Sequence, residues 1–70
     1  MPLGIAPLGK DLTIVKISTD EKMKRHLENL GIIVGGTIKA QSDGSGNMII
    51  LIKDSRFAID MGLAMKIQVS

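Results

Sequence analysis

Cysteine is absent from this chain of 70 residues, which removes disulfide staples and thiolate metal sites and fits a reducing compartment. Aromatic residues are almost missing as well. Phe57 stands alone, too little to build the stacking platforms on which single-strand nucleic-acid binders rely. No sign of charge dominates: nine basic residues against seven acidic ones leave a formal net charge of +2, with the signs interspersed, so no nucleic-acid partner is expected. Long apolar runs are lacking too. Met48 to Ile52 and Ile32 to Val34 fall far short of the ~20 residues that span a bilayer. The opening Met-Pro-Leu-Gly-Ile-Ala-Pro-Leu-Gly has neither a charged start nor a sustained apolar stretch, so it does not read as a signal peptide. These absences leave a single domain, residues 1–70, expected in the cytoplasm and without a membrane span of its own. A domain of this size hides only about 60% of its unfolded surface, which leaves room for one core.

What is present is a sharply ordered joint between a helical and an extended pattern. Met23, Leu27 and Leu30 fall at i, i+4 and i+7, which puts them on one helix face and predicts that the face is buried. Gly31 stands where a left-handed residue would end the helix, and Gly35-Gly36 turns the chain into the extended Thr37-Ile38-Lys39-Ala40. Upstream, Leu12–Ile17, rich in β-branched residues, reads as a first strand. The Ser18-x-x-Glu21 spacing predicts a capping box for a helix from about Asp20 to Leu30.

Ser42-Asp43-Gly44-Ser45-Gly46-Asn47 carries residues that tolerate positive φ and reads as a hairpin loop. Met48–Ile52 is apolar at every position, which predicts a central strand that is either covered on both sides or wrapped tightly in a small barrel. Arg56–Asp60 alternates, with Phe57 and Ile59 inward, Met61–Met65 reads as a single turn, and Lys66–Val69 closes the set. The expected fold is mainly β: a small barrel of about five short strands with one α-helix inserted after the first.

Candidate chemistry is sparse. One histidine, no cysteine and acidic residues scattered among turns supply no acid/base pair, so catalytic residues are not expected. His26 finds no second histidine to share a metal, and it lies towards the polar side of the helix. Asp43-x-Ser45-x-Asn47 resembles the start of a calcium loop, but Met48 occupies the position where such a loop needs glycine. Of the methionines, Met23, Met48 and Met65 are expected as core filling. Lys22, Lys24, Arg25 and His26 place positive charge on the exposed helix surface, with Lys39, Lys53 and Arg56 as potential neighbours. Such a face suits an acidic protein surface or anionic headgroups.

Three motifs carry a resemblance to a known family: Gly9-x4-Ile14-x2-Ile17, then Leu27-x2-Leu30-Gly31-Ile32-x2-Gly35-x2-Ile38, and finally Arg56-Phe57-Ala58-Ile59 with Ala64-x2-Ile67-x-Val69. Covering almost the whole chain, they resemble the FeoA family of small proteins of bacterial ferrous iron transport. The resemblance implies an SH3-like β-barrel and structural roles for Gly9, Leu27, Leu30, Gly31, Ile32 and Gly35. It further implies a non-enzymatic accessory or regulatory protein that docks on the cytoplasmic GTPase region of an FeoB-like permease and is recruited to the inner face of the membrane. Lys24, Arg25 and His26 would be the partner-contact residues, and a homo-oligomer is compatible with the family. No cofactor is implied as essential. The family's link to transition metals supplies the alternative, a sensor or carrier that binds iron or zinc directly. Two features differ from the common family pattern: the loop Asp43–Asn47 replaces a proline-containing hairpin, and His26 stands where an apolar residue is frequent.

Overall fold

The first strand contains an irregularity that explains its motif. In the computed structural model, which describes residues 1–70, β1 spans Leu12–Ile17 and buries Leu12, Ile14 and Ile17. Regular alternation would put Ile14 and Ile17 on opposite faces. The register against the last strand shifts between Ile14 and Lys16, so Val15 is an extra residue that bulges outward and returns Ile17 to the core side.

Six further elements follow: α1 (Glu21–Asn29), β2 (Thr37–Ser42), β3 (Met48–Ile52), β4 (Ser55–Ile59), the one-turn α2 (Met61–Ala64) and β5 (Ile67–Val69). The strands form one antiparallel sheet in the order β4-β3-β2-β1-β5. It curls into an SH3-like half-barrel that stays open, because β4 and β5 share no ladder. The expected mainly-β fold with a helix after β1 is thus present, but the central strand is β2 rather than β3. Nor is β3 covered on both sides: Met48, Ile50 and Ile52 are buried, while Ile49 and Leu51 lie half-exposed on the other face.

Sixteen residues are buried, every one apolar, so any polar chemistry has to take place at the surface. The N-terminal segment contributes to this core. A 3-10 turn at Leu3–Ile5 buries Leu3 completely. The segment is tied to β5 through a pair of hydrogen bonds: the Met1 amine donates to the Val69 carbonyl (2.8 Å), and the Val69 amide donates to the Met1 carbonyl (2.7 Å).

α1 begins two residues later than a Ser18 cap would place it. Asp20 is the N-cap, accepting from the Met23 amide at 2.7 Å, and Ser18 instead extends the β1 ladder, its amide donating to Lys66 (2.8 Å). At the other end the expected stop is present. Gly31 has φ +94, its amide donates to Glu28 (3.0 Å), and the Ile32 amide donates to Leu27 (2.9 Å), the two bonds of a Schellman motif. The apolar stripe is buried at one point only. Leu27 is 1% exposed, whereas Met23 and Leu30 are 37% and 38% exposed, so the nine-residue helix seats a single side chain fully.

Candidate functional site

The helix presents the expected cations unequally. Arg25 sits two residues from the buried Leu27, hence on the opposite side of α1, and is exposed, as are His26 and Lys22. Lys24 is half-buried, correcting its expected placement as freely outward. Beside these charges, Met23 and Leu30 keep over a third of their surface in solvent. The helix surface is therefore mixed, cationic with an apolar flank.

A second feature was not legible beforehand. Past the end of α1, a groove of about 700 Å³ opens between the Gly31–Gly36 connection and strands β2 and β3. Ile33, Leu51 and Ile52 supply its apolar lining, and Lys39, Lys53 and Asp11 its charges. The strands place these residues by register. Lys39 on β2 pairs with Leu51 on β3, and Leu51 pairs with Arg56 on β4, so a half-buried leucine lies between two cations across the sheet. Lys39 approaches Asp11 at 3.7 Å, an exposed pair of the kind that contributes little to stability. Ile33 is 47% exposed and Val34 55%. The surface that results has an apolar floor and a mostly basic rim. It joins the C-terminal end of α1, because Gly31 belongs to both.

The remaining family-motif residues act through the backbone. The Gly9 amide donates to the Ala40 carbonyl (2.8 Å) and fastens the lead-in of β1 to β2. Gly35 donates to Ile14 (2.7 Å), and Ile14 in turn donates to Gly36 (2.9 Å), which extends the β1–β2 pairing. Ile32 is fully buried.

The Asp43 loop has hairpin chemistry. Asp43 accepts from the Ser45 amide (2.7 Å), and Ser42 Oγ accepts from the Gly44 amide (3.2 Å). The Ser45 amide, helped by the Ser45 hydroxyl, holds the Asp43 carboxyl below the usual aspartate range. No group of three or more His, Cys, Asp or Glu side chains converges anywhere. Of the methionines, Met48 is core, while Met65 is 40% exposed and Met61 38%, so Met65 does not fill the core as expected. No helix is long and apolar enough to cross a membrane.

Comparison with known proteins places these features in a family. Residues 1–70 match the family model of the FeoA domain. A protein of Methanocaldococcus jannaschii named as Fe(2+) transport protein A is 37% identical over 68 residues, spanning 97% of this chain and 83% of that protein. Among solved structures, an iron uptake regulatory protein, FeoA, superposes with a TM-score of 0.84 at 30% identity, covering 99% of this chain and 92% of that one. A FeoA-like protein from Clostridium acetobutylicum shares the fold, with a TM-score of 0.82 at 15% identity over 100% of this chain and 84% of that chain. With its whole length matched and its strand order, helix insertion and joint at Gly31 in place, the chain belongs to the FeoA family.

Proposed function

We propose that this protein is a non-enzymatic accessory protein of ferrous iron uptake that docks on the cytoplasmic GTPase region of an FeoB-type permease. It works in the cytoplasm and reaches the inner face of the membrane through that partner. The observation that carries the reading is the mixed surface at the end of α1, where exposed Ile33 and half-buried Leu51 lie beside Lys39 and Lys53. An apolar floor with a charged rim is the anatomy of a protein interface. Its basic rim, with Arg25 and Lys24 on the adjoining helix, suits an acidic partner surface and would speed encounter at low salt. Family membership supplies the transport context.

Calorimetric titration of the isolated FeoB cytoplasmic region into this protein tests the reading. Two double variants divide the surface: Lys24→Glu with Arg25→Glu on the helix, and Lys39→Glu with Lys53→Glu at the groove. Each is expected to weaken binding by about tenfold or more, equivalent to about 1.4 kcal/mol. Binding that neither pair alters would place the contact elsewhere, and absence of binding by the unmodified protein would remove the adaptor reading.

A further inference from the structure

The two edges of the sheet are treated differently. Beyond β5 the chain covers itself: Met1 exchanges hydrogen bonds with Val69, and Pro2 bridges Gln68. Beyond β4 nothing is paired, and no main-chain hydrogen bond outside the β3 ladder involves Ser55–Ile59. The register identifies which groups face outward. Ile52 pairs with Ser55 across the two-residue turn Lys53-Asp54, followed by Leu51 with Arg56, Ile50 with Phe57, Ile49 with Ala58 and Met48 with Ile59. In a hairpin with a two-residue turn the flanking residues form a hydrogen-bonded pair, and bonded and non-bonded pairs then alternate. Ser55, Phe57 and Ile59 therefore turn their N–H and C=O groups to β3, leaving those of Arg56 and Ala58 to the open edge.

We infer that this edge is a self-association site, where β4 pairs antiparallel with β4 of a second copy about a two-fold axis at Phe57. The side chains fit such a pairing. Arg56 then lies opposite Ala58 of the second copy and exchanges both main-chain hydrogen bonds with it, and the symmetry repeats the exchange. Phe57 meets its own counterpart as the close, non-hydrogen-bonded pair. Such an aromatic cross-strand contact suits Phe57, which is half-buried against the core and is the chain's one aromatic residue. Arg56 sits diagonally across from Asp60 of the second copy on the same face, within reach of a long side chain. Asp60 is still extended there, with φ −76 and ψ 163. The strand is regular along its length, without the bulge that removes Val15 from the β1–β5 ladder. A different occupant, an extended peptide of another protein, would use the same main-chain groups but has no reason to match Phe57 with phenylalanine or Arg56 with aspartate.

An interface of five residues from each copy belongs to the weak class, below about 1,200 Å², so the test uses high concentration. Sedimentation of the full chain at up to about 1 mM should show the average mass rising from 7.5 kDa towards twice that value. Ala58→Pro removes an outward amide and leaves the β3 ladder whole, so it should remain a monomer. Because the chain contains no cysteine, single introduced cysteines add an independent measurement. Under mild oxidation Phe57→Cys, on the axis, should cross-link at least about tenfold faster than Ser55→Cys, which the register sets apart from its own copy. A species that stays at 7.5 kDa throughout overturns the inference, whether the edge is idle or reserved for another chain. So does a dimer that folded Ala58→Pro leaves intact, or equal cross-linking at the two cysteines. Should Ala58→Pro fail to fold, the comparison of cross-linking rates decides.

Discussion

Leu27 and Ile32 are joined by one hydrogen bond: the Ile32 amide donates to the Leu27 carbonyl at 2.9 Å, and both side chains are buried. The last anchored residue of the helix and the first buried residue beyond it are thereby held in fixed relation, with Gly31 between them at φ +94. A β-carbon there would also lie 3.3 Å from Ile52 Cγ2. Gly31→Ala is expected to cost about 1–2 kcal/mol, the penalty of a left-handed conformation for an L-residue. Urea unfolding followed by far-ultraviolet circular dichroism measures it, and an unchanged midpoint would contradict the strain.

The helix is seated through one side chain, so its apolar positions should respond unequally. Leu27→Ala removes a fully buried group and should cost about 2–4 kcal/mol. Met23→Ala, at a position 37% exposed, should cost less than about 1 kcal/mol. Equal losses in the same unfolding assay would restore a buried stripe.

Lys53, the first residue of the β3–β4 turn, has φ +50, the only positive value outside glycine. Lys53→Gly relieves about 1–2 kcal/mol of strain and gives back about 0.5–1 kcal/mol through the freer unfolded chain. A net gain of about 0.5 kcal/mol should raise the thermal midpoint by roughly 2–4 °C. A lower midpoint would show that the lysine stem contributes packing the backbone geometry does not reveal.

Asp43 titrates below its usual 3.8 in the folded chain because the Ser45 amide, and after it the Ser45 hydroxyl, favour the carboxylate. A depressed folded value means that its contribution is complete above the unfolded value and is lost as pH falls through the folded one. The relevant window therefore lies below about pH 4. Carboxyl chemical shifts should give a midpoint below that of a model aspartate. Ser45→Ala should return it only part of the way, since the amide remains. A full return would make the hydroxyl the main cause.

Much of the fold was legible because the informative residues act locally. Gly31 ends a helix through its own φ, and Ser42–Asn47 turns a hairpin through its own side chains. Ile14-x2-Ile17 was legible as a motif but not as geometry, because the bulge at Val15 exists only against β5. The choice between Ser18 and Asp20 as cap depended likewise on a distant partner, Lys66, which takes the Ser18 amide into a ladder. The exposure of Ile49 and Leu51 was hidden for another reason. An unbroken apolar run looks the same whether a second layer or an open groove lies over it. For the candidate surface, Arg25 and His26 could be placed from helical spacing alone, whereas the meeting of Lys39, Leu51 and Arg56 required strand register.

The contact between Met1 and Val69 brings the beginning and the end of this chain within a hydrogen bond of each other. Its path is nearly a loop. A short glycine linker from Ser70 to Met1 would join the ends without spanning any distance, and new termini could be opened at Gly44-Ser45 in the exposed hairpin. Such a circular permutant would keep every ladder while turning the β2–β3 hairpin into two separately delivered strands. The order in which the strands arrive could then be varied independently of the structure they form.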